Sequence, residues 1–147
     1  MHRIKVPNEL LDAHECEALV LTCMDFRFRE ATQQFVKEGL GINQFDGPIS
    51  IPGVCKGIAE ENGTVTDFAK FAIETALKVH HIKKVLIIHH EECGAYGISD
   101  RNVEFQKETE DEKKGDAILG DLYSDSDLSF QLFFAKKGDG EITHVSV

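Results

Sequence analysis

Ala18–Thr22 (ALVLT) and Lys84–Ile88 (KVLII) are the stretches that decide the fold. Each is a short, continuous apolar run without polar alternation, which suits a strand covered on both faces, as in a parallel sheet. Between them Val65, Phe68, Ala69, Ala72, Ile73, Ala76 and Leu77 recur every three or four residues, while Asp67, Lys70, Glu74 and Lys78 take the other side. That spacing predicts an amphipathic helix. Gly63 and Thr64 mark its start, Thr64 standing three residues before Asp67 in the manner of a capping box. An earlier helix is expected from about Phe28 to Lys37, stopped by Gly39 and Gly41, and a third strand at Pro48–Ile51, closed by Pro52 and Gly53. The order strand, helix, strand, helix, strand implies an α/β, three-layer fold: a mainly parallel sheet flanked by helices, with right-handed crossovers.

Downstream, Leu128–Ala135 (LSFQLFFA) and Glu141–Val147 (EITHVSV) flank Lys136–Gly140 (KKGDG), which predicts a hairpin at the sheet edge. Glu104–Gly115 (EFQKETEDEKKG) is so charged that it reads as a solvated loop or the exposed face of a short helix. The 147 residues match a single domain spanning 1–147. With 41% hydrophobic and 29% charged residues and no long apolar run, the composition is that of a globular protein without a membrane span. The stretch MHRIKVPNELLDAHECE lacks a signal-peptide core, so a cytoplasmic location is expected. A net charge of -10 repels a phosphate backbone and argues against nucleic acid as a partner. In a reducing compartment Cys16, Cys23, Cys55 and Cys93 are read as thiols, some of them metal ligands, rather than as disulfides.

Two short motifs begin where the apolar runs stop: CMDFR at Cys23–Arg27 and HHEECG at His89–Gly94. In parallel α/β sheets sites form at the carboxyl ends of strands, so the two motifs converge if their strands are neighbours. Cys23, His90 and Cys93 then offer two thiolates and an imidazole, a set that selects zinc over hard cations. Three protein ligands leave a tetrahedral ion one position for water, whose pKa the metal lowers. Asp25 and Arg27 share the alternation of an extended segment with Cys23 and project to the same side. Asp25 can orient a zinc-bound hydroxide or swing in as a fourth ligand, and the Arg27 fork can hold it ionised.

These motifs resemble the signatures of the β-class carbonic anhydrases, C-x-D-x-R followed, after a helix and strand, by H-x-x-C-G. The resemblance runs from about Ala18 through Tyr96 and more loosely to the terminal strands. It implies zinc on Cys23, His90 and Cys93, a catalytic dyad of Asp25 and Arg27, and reversible hydration of carbon dioxide to bicarbonate by zinc-bound hydroxide. It also implies a homodimer or dimer of dimers. The chain departs from the family pattern in three places. Phe26 stands where a small residue is usual, SIPGVCKG at Ser50–Gly57 replaces an R-N-A-G-like stretch, and the segment from Gly97 to Leu128 is shorter than is usual. Relatives of the fold hydrolyse carbonyl sulfide or carbon disulfide, which leaves that hydrolase, or a non-catalytic zinc-binding homologue closed by Asp25, as alternatives.

Taken singly, Cys23 reads equally well as a small buried hydrophobe at a strand end, and Asp25 with Arg27 as a structural ion pair. His89 should face away from His90 in a structural or supporting role. Glu91 and Glu92 are expected to face water, and Cys55 to pack near the pocket. Cys16, His14, His80 and His81 lie outside the constellation and carry no assigned function.

Overall fold

A computed structural model describes residues 3–5, 11–138 and 140–146 of the chain. Part of the N-terminal stretch read for an export signal, Asp139 of the hairpin turn and Val147 lie outside the described residues. The elements run β1 (Ala18–Thr22), a 3-10 turn (Phe26–Phe28), α1 (Arg29–Gln34) continuing into a π-helical turn (Phe35–Gly39), β2 (Phe45–Ser50), α2 (Lys56–Ala59), α3 (Gly63–His80), β3 (Lys84–His90), α4 (Arg101–Leu122), β4 (Ser129–Ala135) and β5 (Ile142–His144). The sheet order is β2-β1-β3-β4-β5, parallel except for β5, which pairs antiparallel with β4 at the edge.

The continuous apolar runs are explained by helices on both faces. Leu19, Leu21, Val85 and Ile87 pack with Ile58, Ala69, Ile73 and Leu119 on one side, while Val20, Leu86, Ile88 and Phe133 pack with Val36 and Ile42 on the other. Every residue of β1 is buried. At about 1.5–3 kcal/mol for each buried Val, Leu or Ile, these strands dominate the favourable side of folding. The helix predicted around Ala69 is α3, which buries Ala69, Ile73 and Ala76 but leaves Phe68 at its margin, 48% exposed. Its cap is Asn62, whose side chain accepts from the Thr64 and Val65 N–H groups (3.1 and 3.4 Å), so the Thr64/Asp67 capping box is not the device used. No helix among the described residues is long and apolar enough to cross a membrane.

The charged stretch at 104–115 is not a loop, and it is more than an exposed face: Phe105, Gln106, Lys107 and Glu110 do face solvent, but the opposite side is buried. It lies inside α4, 22 residues long, and Glu104, Glu108, Asp111 and Glu112 point inward with Gly115 and Leu119. The helix is amphipathic in register but carries carboxylates where apolar side chains are usual, and each of the four finds at least one hydrogen-bond donor beneath it. Burial of such groups is tolerable only with those bonds. Gly115 sets the depth of docking, since a Cβ there would lie 2.8 Å from Cys55 Sγ.

Candidate metal centre

The first crossover carries the chain from β1 to β2 on one side, and the second carries it from β2 back past β1 to β3 on the other, so the carboxyl ends of β1 and β3 form the switch point where parallel sheets open a crevice. The register Thr22↔Ile88 puts Cys23 beside the end of β3, where His90 is the last strand residue. Glu92, at φ 58, turns the chain back and brings Cys93 to the same point. The Sγ atoms of Cys23 and Cys93 are 3.8 Å apart. Two thiolates on a tetrahedral zinc with bonds of about 2.3 Å would lie about 3.8 Å apart. All three candidate ligand atoms fall within 4.8 Å of one another.

The histidine is prepared for the same role. His90 Nδ1 lies 2.9 Å from the Glu91 carbonyl oxygen and donates to it, which leaves Nε2 with the lone pair, buried and without a hydrogen-bond partner. Phe28 stacks on the ring at 4.3 Å between centroids. Residues present therefore fit a zinc ion: two sulfurs at the right separation and an orphaned imidazole nitrogen. The two sulfurs are within hydrogen-bonding reach of each other, and this contact holds the Cys23 thiol down to about 4 and pushes that of Cys93 well up. Burial alone would lower the His90 pKa, but the Cys23 sulfur, the Glu91 carbonyl and Asp25 together raise it.

Asp25 and Arg27 meet by a turn rather than by strand alternation. Asp25 is extended and caps the 3-10 turn, Oδ1 accepting from the Arg27 N–H at 3.0 Å, and the Arg27 Nε donates to both carboxylate oxygens at 3.0 and 3.1 Å. This fork holds the Asp25 pKa down to about 2. Asp25 Oδ2 is 4.0 Å from His90 Nε2. Arg27 Nη2 also donates to the Glu92 carbonyl at 3.1 Å, tying the first motif to the second. Thr22, Phe28, Thr32, Ser50, Ile88 and Ala135 line a cavity of 260 Å³ against Cys23, Asp25 and His90.

Several supports escape a motif reading. Both Glu104 oxygens accept backbone N–H groups of the metal loop, from Glu92 at 2.8 Å and Cys93 at 2.7 Å. His89 faces away from His90, as its strand position requires, and is fully buried. Its Nε2 accepts from the Cys55 N–H at 3.2 Å, so Nδ1 carries the proton and donates to Glu108 at 2.9 Å. Burial drives His89 down to about 3 and Glu108 up to about 9, making this a hydrogen bond between neutral groups rather than an ion pair. Cys55 is wholly buried, as its expected packing role requires, and desolvation raises its thiol pKa. Glu91 and Glu92 are not merely solvated: Glu91 accepts from the Lys137 N–H at 3.0 Å, and Glu92 pairs with Lys137 at 2.6 Å, Arg101 at 3.4 Å and Arg27 at 3.5 Å. The signal for α4 was present in the spacing of Glu104, Glu108, Asp111, Glu112, Gly115 and Leu119, a helical period written in acids.

Among curated proteins, an uncharacterized protein of Rickettsia conorii is 33% identical over 100 residues, covering 65% of this chain and 52% of its own length. Another uncharacterized protein, from Rickettsia bellii, is 30% identical over 100 residues, covering 64% and 58%. The chain thus spans somewhat over half the length of the curated relatives it matches. Among solved structures, the β-carbonic anhydrase CafA of the fungal pathogen Aspergillus fumigatus superposes with a TM-score of 0.58 over 91% of this chain and 76% of that one, at 15% identity, a likeness of fold. Residues 13–126 match the family model described as "Putative carbonic anhydrase", well over half of the sequence. The chain therefore belongs to that carbonic anhydrase family, as a divergent member with a β-carbonic-anhydrase-like fold.

Proposed function

We propose that the chain is a zinc-dependent carbonic anhydrase, a carbonate dehydratase that interconverts carbon dioxide and bicarbonate. The observation that carries this reading is the trio of Cys23, His90 and Cys93, two sulfurs 3.8 Å apart beside a buried, unpartnered imidazole nitrogen. When bound, zinc supplies a Lewis acid that makes hydroxide available near neutral pH. The residues of the chain do the rest. Cys23 and Cys93 give up their protons to serve as thiolates, and the Glu91 carbonyl fixes the His90 tautomer that offers Nε2. Arg27 keeps Asp25 ionised and aimed. Asp25 accepts a hydrogen bond from the reacting hydroxyl and orients its lone pair toward the carbon of carbon dioxide. A cavity of 260 Å³ with Phe28 and Ile88 in its wall suits a small uncharged substrate.

Cys23→Ser should lose zinc by metal analysis, whereas Asp25→Ala should keep zinc and lose about 10²–10⁴-fold in a stopped-flow carbon dioxide hydration assay. Full zinc in Cys23→Ser would overturn the ligand assignment. The 4.0 Å approach of Asp25 to His90 Nε2 favours a second reading, a non-catalytic zinc protein whose coordination shell Asp25 closes. Hydration by the zinc-loaded chain at pH about 8.5 no faster than buffer would select it. Sulfide release from carbonyl sulfide or carbon disulfide would instead identify a hydrolase on the same site.

The reading also includes a homodimer or dimer of dimers, supported by Met24, Phe26 and Phe71 standing 63%, 77% and 67% exposed, which a subunit interface would cover. A monomer mass in light scattering would exclude it. It places the reaction in the cytoplasm, where reducing conditions keep the two ligand sulfurs from forming a disulfide.

A further inference from the structure

A second group of metal-binding side chains lies at the opposite end of the sheet. Cys16 precedes β1, Asp46 is the second residue of β2 and His80 is the last residue of α3, so three elements distant in sequence deliver one ligand atom each at the amino ends of the parallel strands. Those atoms lie within 4.8 Å of one another, all half-buried. Backbone bonds lace the segments together, Cys16 N–H to the His80 carbonyl at 3.1 Å and Glu17 N–H to the Gln44 carbonyl at 3.2 Å, so the arrangement is set by the fold rather than by flexible side chains. His80 Nδ1 sits 2.9 and 2.8 Å from the two Asp46 oxygens, the spacing of a shared proton. The cluster also lies at the C-terminus of the 18-residue α3, where the helix dipole favours a cation. A cavity of 340 Å³ lined by all three residues gives an ion access from solvent.

We propose that Cys16, Asp46 and His80 form a second cation site, selective for zinc because it combines a thiolate, an imidazole and a carboxylate. The ion takes the place of the proton between His80 Nδ1 and Asp46, which moves to Nε2 of the neutral ring, and of the Cys16 thiol proton, which passes to solvent. It staples β1, β2 and α3 at the pole away from Cys23. The site is independent of the proposed activity, and it is tested with the Cys23 site disabled. Cobalt(II) added to the Cys23→Ser/Cys93→Ser chain should give a thiolate-to-metal absorption band and raise its melting temperature. Adding Cys16→Ser, or separately His80→Ala, should abolish both effects, with folding of each variant checked by circular dichroism. Absence of the band in the double variant, or a band that survives Cys16→Ser, overturns the proposal. In the unmodified chain, saturating zinc should slow alkylation of Cys16 at least about tenfold, read by peptide mass spectrometry, because a coordinated thiolate is shielded. An alkylation rate unchanged by zinc overturns it equally.

Discussion

Glu104 shows how much of a candidate metal centre can sit outside the side chains that would hold the ion. Among the described residues its two carboxylate oxygens are the side-chain acceptors of the Glu92 and Cys93 N–H groups, and without them the Glu92 turn would present two unsatisfied donors. Glu104→Gln keeps the shape but turns an amide NH₂ toward one of those donors. We expect a loss of about 1–3 kcal/mol in urea unfolding, because a buried donor left unpaired costs that much. Zinc affinity, measured by competition with a chromophoric chelator, should fall about 10–100-fold, as for other groups that orient ligands from behind. Unchanged affinity would show that the loop holds its shape unaided. At this scale the sequence was legible wherever chemistry is carried by residue type: Cys23, Asp25, Arg27, His90 and Cys93 could be picked out because their spacing is diagnostic. Glu104 could not, because one acid in EFQKETEDEKKG looks like any other.

Among the elements, α4 is the one where charge and burial disagree. Composition points Glu108, Asp111 and Glu112 to water, yet the helical period points them inward, and the period wins because a sheet face and a metal loop offer N–H and O–H donors there. The strands and α3 were legible because their cores are apolar, where hydropathy and period agree. Glu112 gives the measurable consequence. Burial raises its carboxyl to about 9, one oxygen accepts from the Phe133 N–H at 3.2 Å, and the other has no partner. In the unfolded chain an ordinary glutamate loses its proton near pH 4.3. Between that pH and about 9 the folded state therefore holds the extra proton, and this residue's contribution to stability declines as pH rises through the window. Glu112→Gln removes the slope. Thermal melts should show variant and parent similar near pH 4.5 and the variant gaining with pH, by up to about 5 kcal/mol at pH 8, because each unit above 4.3 costs the parent about 1.4 kcal/mol. A difference that does not grow with pH would mean that Glu112 stays ionised in the fold.

For the whole molecule, one ion would join what the chain makes separately: Cys23 from the end of β1, and His90 and Cys93 from β3 and the loop that α4 clamps. Ligands that bind only the folded state add stability by mass action. Stripping zinc with a chelator should therefore lower the melting temperature of the parent by several degrees and that of Cys23→Ser by less, since that variant keeps only the proposed Cys16 site. Equal chelator shifts in both proteins would place the stabilising ion elsewhere. The buried carboxylates of α4 carry a last consequence, in local opening. Glu104 caps the amides of Glu92 and Cys93, and Glu112 caps that of Phe133, so these protons can meet solvent only when the helix lifts off. Hydrogen exchange should find all three amides, two from the loop after β3 and one from within β4, protected by one common opening free energy once their intrinsic rates are divided out. That free energy would be the cost of lifting α4 as a unit, a gauge built into the fold by its acids.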